Sequence, residues 1–121
     1  MTNRELLELA AKAAGYRVHG WINDKLYVIN GPNPAEYYDP FSWNPLSDDG
    51  DALRLAVALR IDLHFEEQPS WCGEIVEAFS PMREDGSRHC EMRELKPDPN
   101  AATRRAIVRA AAEIGKRGEQ K

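Results

Sequence analysis

Residues 43–59, WNPLSDDGDALRLAVAL, constrain this chain more than any other stretch. A rigid proline turn enters it, and Asp48, Asp49 and Asp51 open a helix in which Leu53, Ala56, Val57 and Leu59 point towards a core. Negative charge in a first turn meets the positive end of the helix dipole, and Ser47 or Asp48 can cap the free N–H groups. The spacing therefore predicts a helix over residues 47–60 with a structural acid run. A calcium loop needs oxygen ligands alternating through about a dozen residues and ending in an acid. Here the helical pattern starts at once, so no metal is expected at this run.

Two further helices flank it. Thr2 and Glu5 have the spacing of a capping box, Leu6, Leu7, Ala10, Ala13 and Ala14 recur helically, and Gly15 supplies a left-handed stop, which predicts a helix over 3–14. Near the C-terminus Asp98 can cap and Pro99 can occupy the first helical position. A helix over 100–114 then carries Ile107, Ala110, Ala111 and Ile114 inward and Arg105, Arg109 and Lys116 on the opposite, solvated face. Gly115 is expected to end it, and residues 116–121 to fray.

Between the helices lie two β regions. Tyr16–Ile22 and Lys25–Asn30 flank Asn23-Asp24, a pair that tolerates the positive φ of a two-residue hairpin turn. The implied register pairs Ile22 with Lys25, Gly20 with Tyr27 and Val18 with Ile29 on one face, and Trp21 with Leu26 and His19 with Val28 on the other. Both faces are substantially apolar, which predicts cover from both sides.

After Arg60 the pattern alternates. Ile61, Leu63 and Phe65 point one way and Asp62, His64 and Glu66 the other. A turn over Glu67–Trp71, a strand over Cys72–Phe79, a turn over Glu84–Ser87 and a strand over Arg88–Leu95 complete a meander, half-wet on one face. The last strand places Cys90 and Met92 on one side and His89, Glu91 and Arg93 on the other. The expected fold is α+β: a three-layer α/β/α sandwich in the order α-ββ-α-βββ-α, with a mainly antiparallel five-stranded sheet. It forms a single domain over 1–115 with a tail at 116–121.

Residues 31–46, GPNPAEYYDPFSWNPL, hold four prolines and four aromatics. Proline excludes helix and central strand, yet the rings are too apolar for a disordered linker. An ordered loop is expected. Packing accounts for such rings, but a long loop is also where recognition residues sit, so Tyr37, Tyr38, Phe41 and Trp43 are the candidate partner-binding residues.

Function classes are narrowed by what is missing. A formal net charge of −4 argues against non-specific nucleic-acid binding. Two cysteines, Cys72 and Cys90, make no disulfide framework and no CxxC pair, which fits a reducing compartment. No stretch approaches the roughly 18 apolar residues of a membrane span, and the N-terminus is too polar for a signal peptide. The expected setting is the cytoplasm. His64, His89, Glu91 and Glu77 could converge on the polar face of the meander, with Cys90 on the opposite face. A histidine pair with a carboxylate can hold a divalent metal or act as a base. However, no HExxH, GxSxG or glycine-rich phosphate loop sets their distances. No catalytic residue, metal or cofactor is assigned from the residues. His19 reads as a packed strand residue.

Three blocks, WNPLSDDGDALRLAV, the Trp71-Cys72 pair and NAATRRAIVRAAAEIG, together resemble small proteins of tailed phages and prophages described as having a phage α/β/α sandwich domain. A more distant likeness is to the phage NinX-like proteins, from which this chain departs in having three acids where those have a paired-glycine turn. The resemblance implies a phage or prophage accessory protein in the host bacterial cytoplasm, with Asp49 and Gly50 as a family-like structural turn. It brings no catalytic residues. Such a protein would be a non-enzymatic interaction module for a host or phage protein. The competing reading is a small metal-dependent or nucleophilic enzyme acting on nucleotides or nucleic acid.

Overall fold

In the computed structural model the capping box closes as its residues imply. The Thr2 hydroxyl accepts from the Glu5 N–H and the Glu5 carboxylate from the Thr2 N–H, both at 3.1 Å, opening α1 (Asn3–Ala13). The structure describes all residues except 32, 34, 69–72 and 119–121. The expected turn through Pro69, the Trp71-Cys72 pair and the end of the tail lie outside the described residues.

Gly15, at φ +84, turns the chain out of α1 and into β1 (Arg17–Ile22) and β2 (Lys25–Ile29). Asn23 and Asp24 both take positive φ, as a tight hairpin turn requires. The register matches expectation for Ile22–Lys25, Trp21–Leu26 and Gly20–Tyr27, and then slips. A bulge between Val18 and Gly20 sets Val18 opposite Val28 and Arg17 opposite Ile29. His19 is its extra residue, so neither the expected Val18–Ile29 nor the His19–Val28 pair forms.

The loop expected over 31–46 contains a short strand, β3 (Phe41–Ser42), paired with β2 through Tyr27–Ser42 and Val28–Phe41. The Trp43 N–H then donates to the Leu26 carbonyl at 3.0 Å, drawing the indole into the core.

The single five-stranded sheet of a three-layer sandwich does not form. β1-β2-β3 make one antiparallel sheet, and β4 (Asp62–Gln68), β5 (Gly73–Phe79) and β6 (Cys90–Glu94) make a second. The apolar content of the hairpin was a misleading guide to its cover. Ile22 stays exposed, while Trp21 packs by its edge, its indole N–H donating to Glu8 at 2.7 Å and the Arg4 guanidinium lying over its ring. The second sheet likewise leaves His64 and Met92 in solvent on its outer face.

α2 (Asp49–Leu59) is capped by Asp48, whose carboxylate accepts from the Asp51 N–H at 2.8 Å. The other two acids are also engaged. Asp51 accepts from the Asn44 N–H at 3.0 Å and from Arg54 at 2.8 Å, and Asp49 pairs with Arg104 at 2.6 Å. The buried face of α2 is Ala52, Leu55, Ala56 and Leu59. Leu53 and Val57, expected to point inward, are instead 63% and 55% exposed.

α3 (Pro99–Lys116) is capped by Asp98 and carries Pro99 at its first position. It packs on α1, α2, β5 and β6. Its helical hydrogen bonding runs through Gly115, which is buried against α1 rather than ending the helix. The basic side chains are not a bare solvated stripe. Arg105 donates to Asn3 at 3.0 Å, Arg109 to Glu91 at 3.1 Å, and Arg104 to the Leu46 carbonyl at 2.9 Å. One hydrophobic cluster joins all three helices to both sheets, with Val28, Val76, Val108 and Trp43 among its members. No described helix is long and apolar enough to cross a membrane.

Candidate functional site

β4 and β5 are in register from Asp62–Phe79 to Gln68–Gly73, and β5 and β6 from Ile75–Glu94 to Phe79–Cys90. Because side chains alternate across a sheet, these pairings assign each residue to one of two faces. The outer face gathers His64, Glu66, Glu77, Cys90 and Met92. The inner face, against α3, gathers Leu63, Phe65, Val76, Ala78, Glu91 and Arg93.

On the outer face His64 and Glu77 are direct cross-strand partners, with His64 Nδ1 3.2 Å from Glu77 Oε1 and 3.5 Å from Glu66 Oε2. One ligand atom from each of the three lies within 4.8 Å of the others. Cys90 Sγ is 3.9 Å from the second Glu77 oxygen. Burial pushes the Cys90 thiol up, helped by the negative charges of Glu77 and Glu91 and opposed by Arg88. That is the reverse of what activates a cysteine nucleophile.

The expected cluster of His64, His89, Glu91 and Glu77 is therefore split. His64 and Glu77 meet, but His89 and Glu91 pair with each other on the inner side, where Arg109 of α3 holds Glu91 at 3.1 Å. Cys90, expected away from His64, shares its face. Glu66 was missed as a member, although its place two residues along the strand from His64 put it on the same face.

Leu63 and Phe65, on the inner face of the end strand β4, remain 37% and 54% exposed. With Leu53 of α2 and Leu95, Pro99 and Ile107 they line a groove of about 430 Å³ between α2, β4 and α3. Asp49 and Arg104 sit at its polar rim. Alternation in the sequence placed Leu63 and Phe65 together, but not their exposure.

The four rings of the 31–46 stretch separate. Trp43 is 3% exposed, with the Tyr16 ring edge-on at 5.5 Å. Phe41, in β3, meets Tyr16 edge-on at 5.8 Å and is partly exposed. Tyr38 lies half-buried on Gly31, its hydroxyl accepting from the Asn33 N–H at 3.4 Å and donating to Glu36 at 3.2 Å. Tyr37 is 82% exposed, and its hydrogen bond to Asp39, then that residue's charge, holds its phenol above the ordinary range.

No protein-family model matches this chain, and no curated protein matches it. Among solved structures it is similar to a phage protein from Bacillus cereus ATCC 14579, at 15% identity and a TM-score of 0.48, over 94% of this chain and 90% of that one.

Proposed function

We propose that this chain is a phage or prophage accessory protein that works as a non-enzymatic protein-interaction module, docking a host or phage protein in the groove between α2, β4 and α3. The phage half of the reading draws on the three sequence blocks that resemble small prophage-encoded proteins. The interaction half rests on one observation: Leu53, Leu63 and Phe65, from two elements, are exposed around one apolar groove. Single exposed leucines are ordinary on a surface, whereas large apolar side chains sharing one concavity mark an interaction site.

The occupant we infer is an extended segment of the partner, added alongside β4. β4 stands at the end of the order β4-β5-β6, and among the described residues no strand pairs with its outer edge. Such an edge offers backbone groups for a further ladder, with alternate side chains read by the groove. Asp62, Glu66 and Glu67 make the strand acidic. The complementary segment therefore alternates apolar and basic residues, and a second copy of the acidic strand is disfavoured.

The test is selection from a display library of ten-residue peptides against the wild-type chain, repeated on Phe65→Ser, Leu63→Ser and Tyr37→Ala. Peptides of alternating apolar and basic character should be enriched, should slow amide exchange in β4, and should be lost on Phe65→Ser and Leu63→Ser. Enriched peptides that bind both serine variants as well as wild type would overturn the reading. A loss confined to Tyr37→Ala would move the interface to the 31–46 stretch.

A further inference from the structure

We propose that His64, Glu66 and Glu77 form a binding site for one divalent transition-metal cation of the zinc class on the outer face of the second sheet. The three donors line the opposite face of β4 from the docking groove, and Glu66 alone is shared with the acidic strand that the groove's occupant would meet.

The observation that points to a cation is convergence on a single atom. The Glu77 and Glu66 carboxylates both approach His64 Nδ1, at 3.2 and 3.5 Å. A cation between the three serves all of them. Donors about 2.0–2.1 Å from a tetrahedral zinc ion lie roughly 3.3 Å from one another. The two nitrogen–oxygen separations bracket that value, and all three donor atoms lie within 4.8 Å of one another.

The backbone holds the donors in this arrangement. His64 and Glu77 are cross-strand partners, and Glu66 follows His64 by two residues on the same face, so the pleat aims all three at one point. Two carboxylates and a neutral imidazole cancel a 2+ charge. An imidazole donor disfavours magnesium and calcium, which take oxygen ligands, and favours zinc, cobalt(II) or nickel(II). The Cys90 sulfur beside Glu77 adds a soft atom to the surroundings of the site. Both His64 and Glu66 are exposed, so a cation has an open path from solvent.

The experiment titrates untagged, chelator-treated protein with Zn²⁺ by calorimetry and with Co²⁺ by visible absorption. One equivalent should bind saturably and raise the melting temperature by mass action. His64→Ala and Glu77→Gln should each weaken Zn²⁺ binding at least tenfold. Glu66→Gln, at an exposed position, should do the same, and keeps the test available if Glu77→Gln fails to fold. Circular dichroism of the metal-free variants should match wild type. The proposal is overturned if wild type shows no saturable equivalent, or if His64→Ala and Glu66→Gln bind Zn²⁺ as wild type does.

Discussion

Gly115 of α3 lies against the backbone carbonyl of Leu9 in α1, with no space between them for a Cβ. The two helices pack on each other, and both are rich in small buried residues, Ala10, Ala11 and Ala13 in α1 and Ala110, Ala111 and Ala112 in α3. The obstacle is backbone and not a flexible side-chain end, so it cannot yield cheaply.

Gly115→Ala is therefore expected to destabilise the protein, although alanine is the better helix former. Overpacking of this kind costs about 1–3 kcal/mol, against a propensity gain of ~1 kcal/mol. Urea denaturation should show a lower midpoint with an unchanged slope. An unchanged or higher midpoint would mean that the helices can move apart freely.

The same glycine shows where the sequence was legible and where it was not. Helix starts were readable because Thr2, Asp48 and Asp98 each satisfy backbone N–H groups of their own helix, a local matter. Gly115 was misread because a helix stop and a close helix approach call for the same residue, and the second depends on a partner a hundred residues away. Sheet membership failed for a related reason. Alternation assigns His64 and Leu63 to opposite faces, but nothing local says whether the hairpin and the meander share a ladder. β3 was hidden because two residues between prolines carry no period. In the candidate site, the His64–Glu77 meeting was partly foreseen from alternation, while the place of Cys90 awaited the register of β6. The exposure of Leu53 and Val57 was missed because an apolar residue at helical spacing reads as core whether or not a neighbour covers it.

The acid run gives a second prediction. Asp48 closes the first turn of α2 through the Asp51 N–H, so Asp48→Ala is expected to cost about 1 kcal/mol. With Asp51 already bonded to Asn44 and Arg54 and Asp49 to Arg104, calcium or magnesium should leave the melting temperature unchanged. A rise of several degrees with either ion, abolished by Asp48→Ala, would make the run a metal site.

A pH dependence follows from the capping box. Hydrogen bonds from the Thr2 backbone and then from its side chain hold the Glu5 carboxyl below the ordinary glutamate range. With the folded-state pKa depressed, the stabilisation is fully present above the unfolded-state pKa of about 4.3 and fades as pH falls through the folded-state value. An NMR titration should place the Glu5 midpoint lower in the folded protein than in the urea-unfolded chain. Equal midpoints would show that the box does not persist in solution.

The rings of the 31–46 stretch divide by exposure into opposite expectations. Trp43 is buried beneath Tyr16 in the core, so Trp43→Ala leaves a large cavity and should cost roughly 3–5 kcal/mol, enough to unfold a marginal protein. Tyr38 packs on Gly31 and bonds to Asn33 and Glu36, so its loss should speed amide exchange at Asn33 and Glu36 before it lowers global stability. Tyr37 packs on little, and Tyr37→Ala should leave the melting curve unchanged. Of the four rings, only Tyr37 and part of Phe41 are open to solvent, so these two are what the stretch offers to any partner. A Tyr37→Ala chain that melts early would show that the ring is part of the scaffold, and so would remove it as a partner contact.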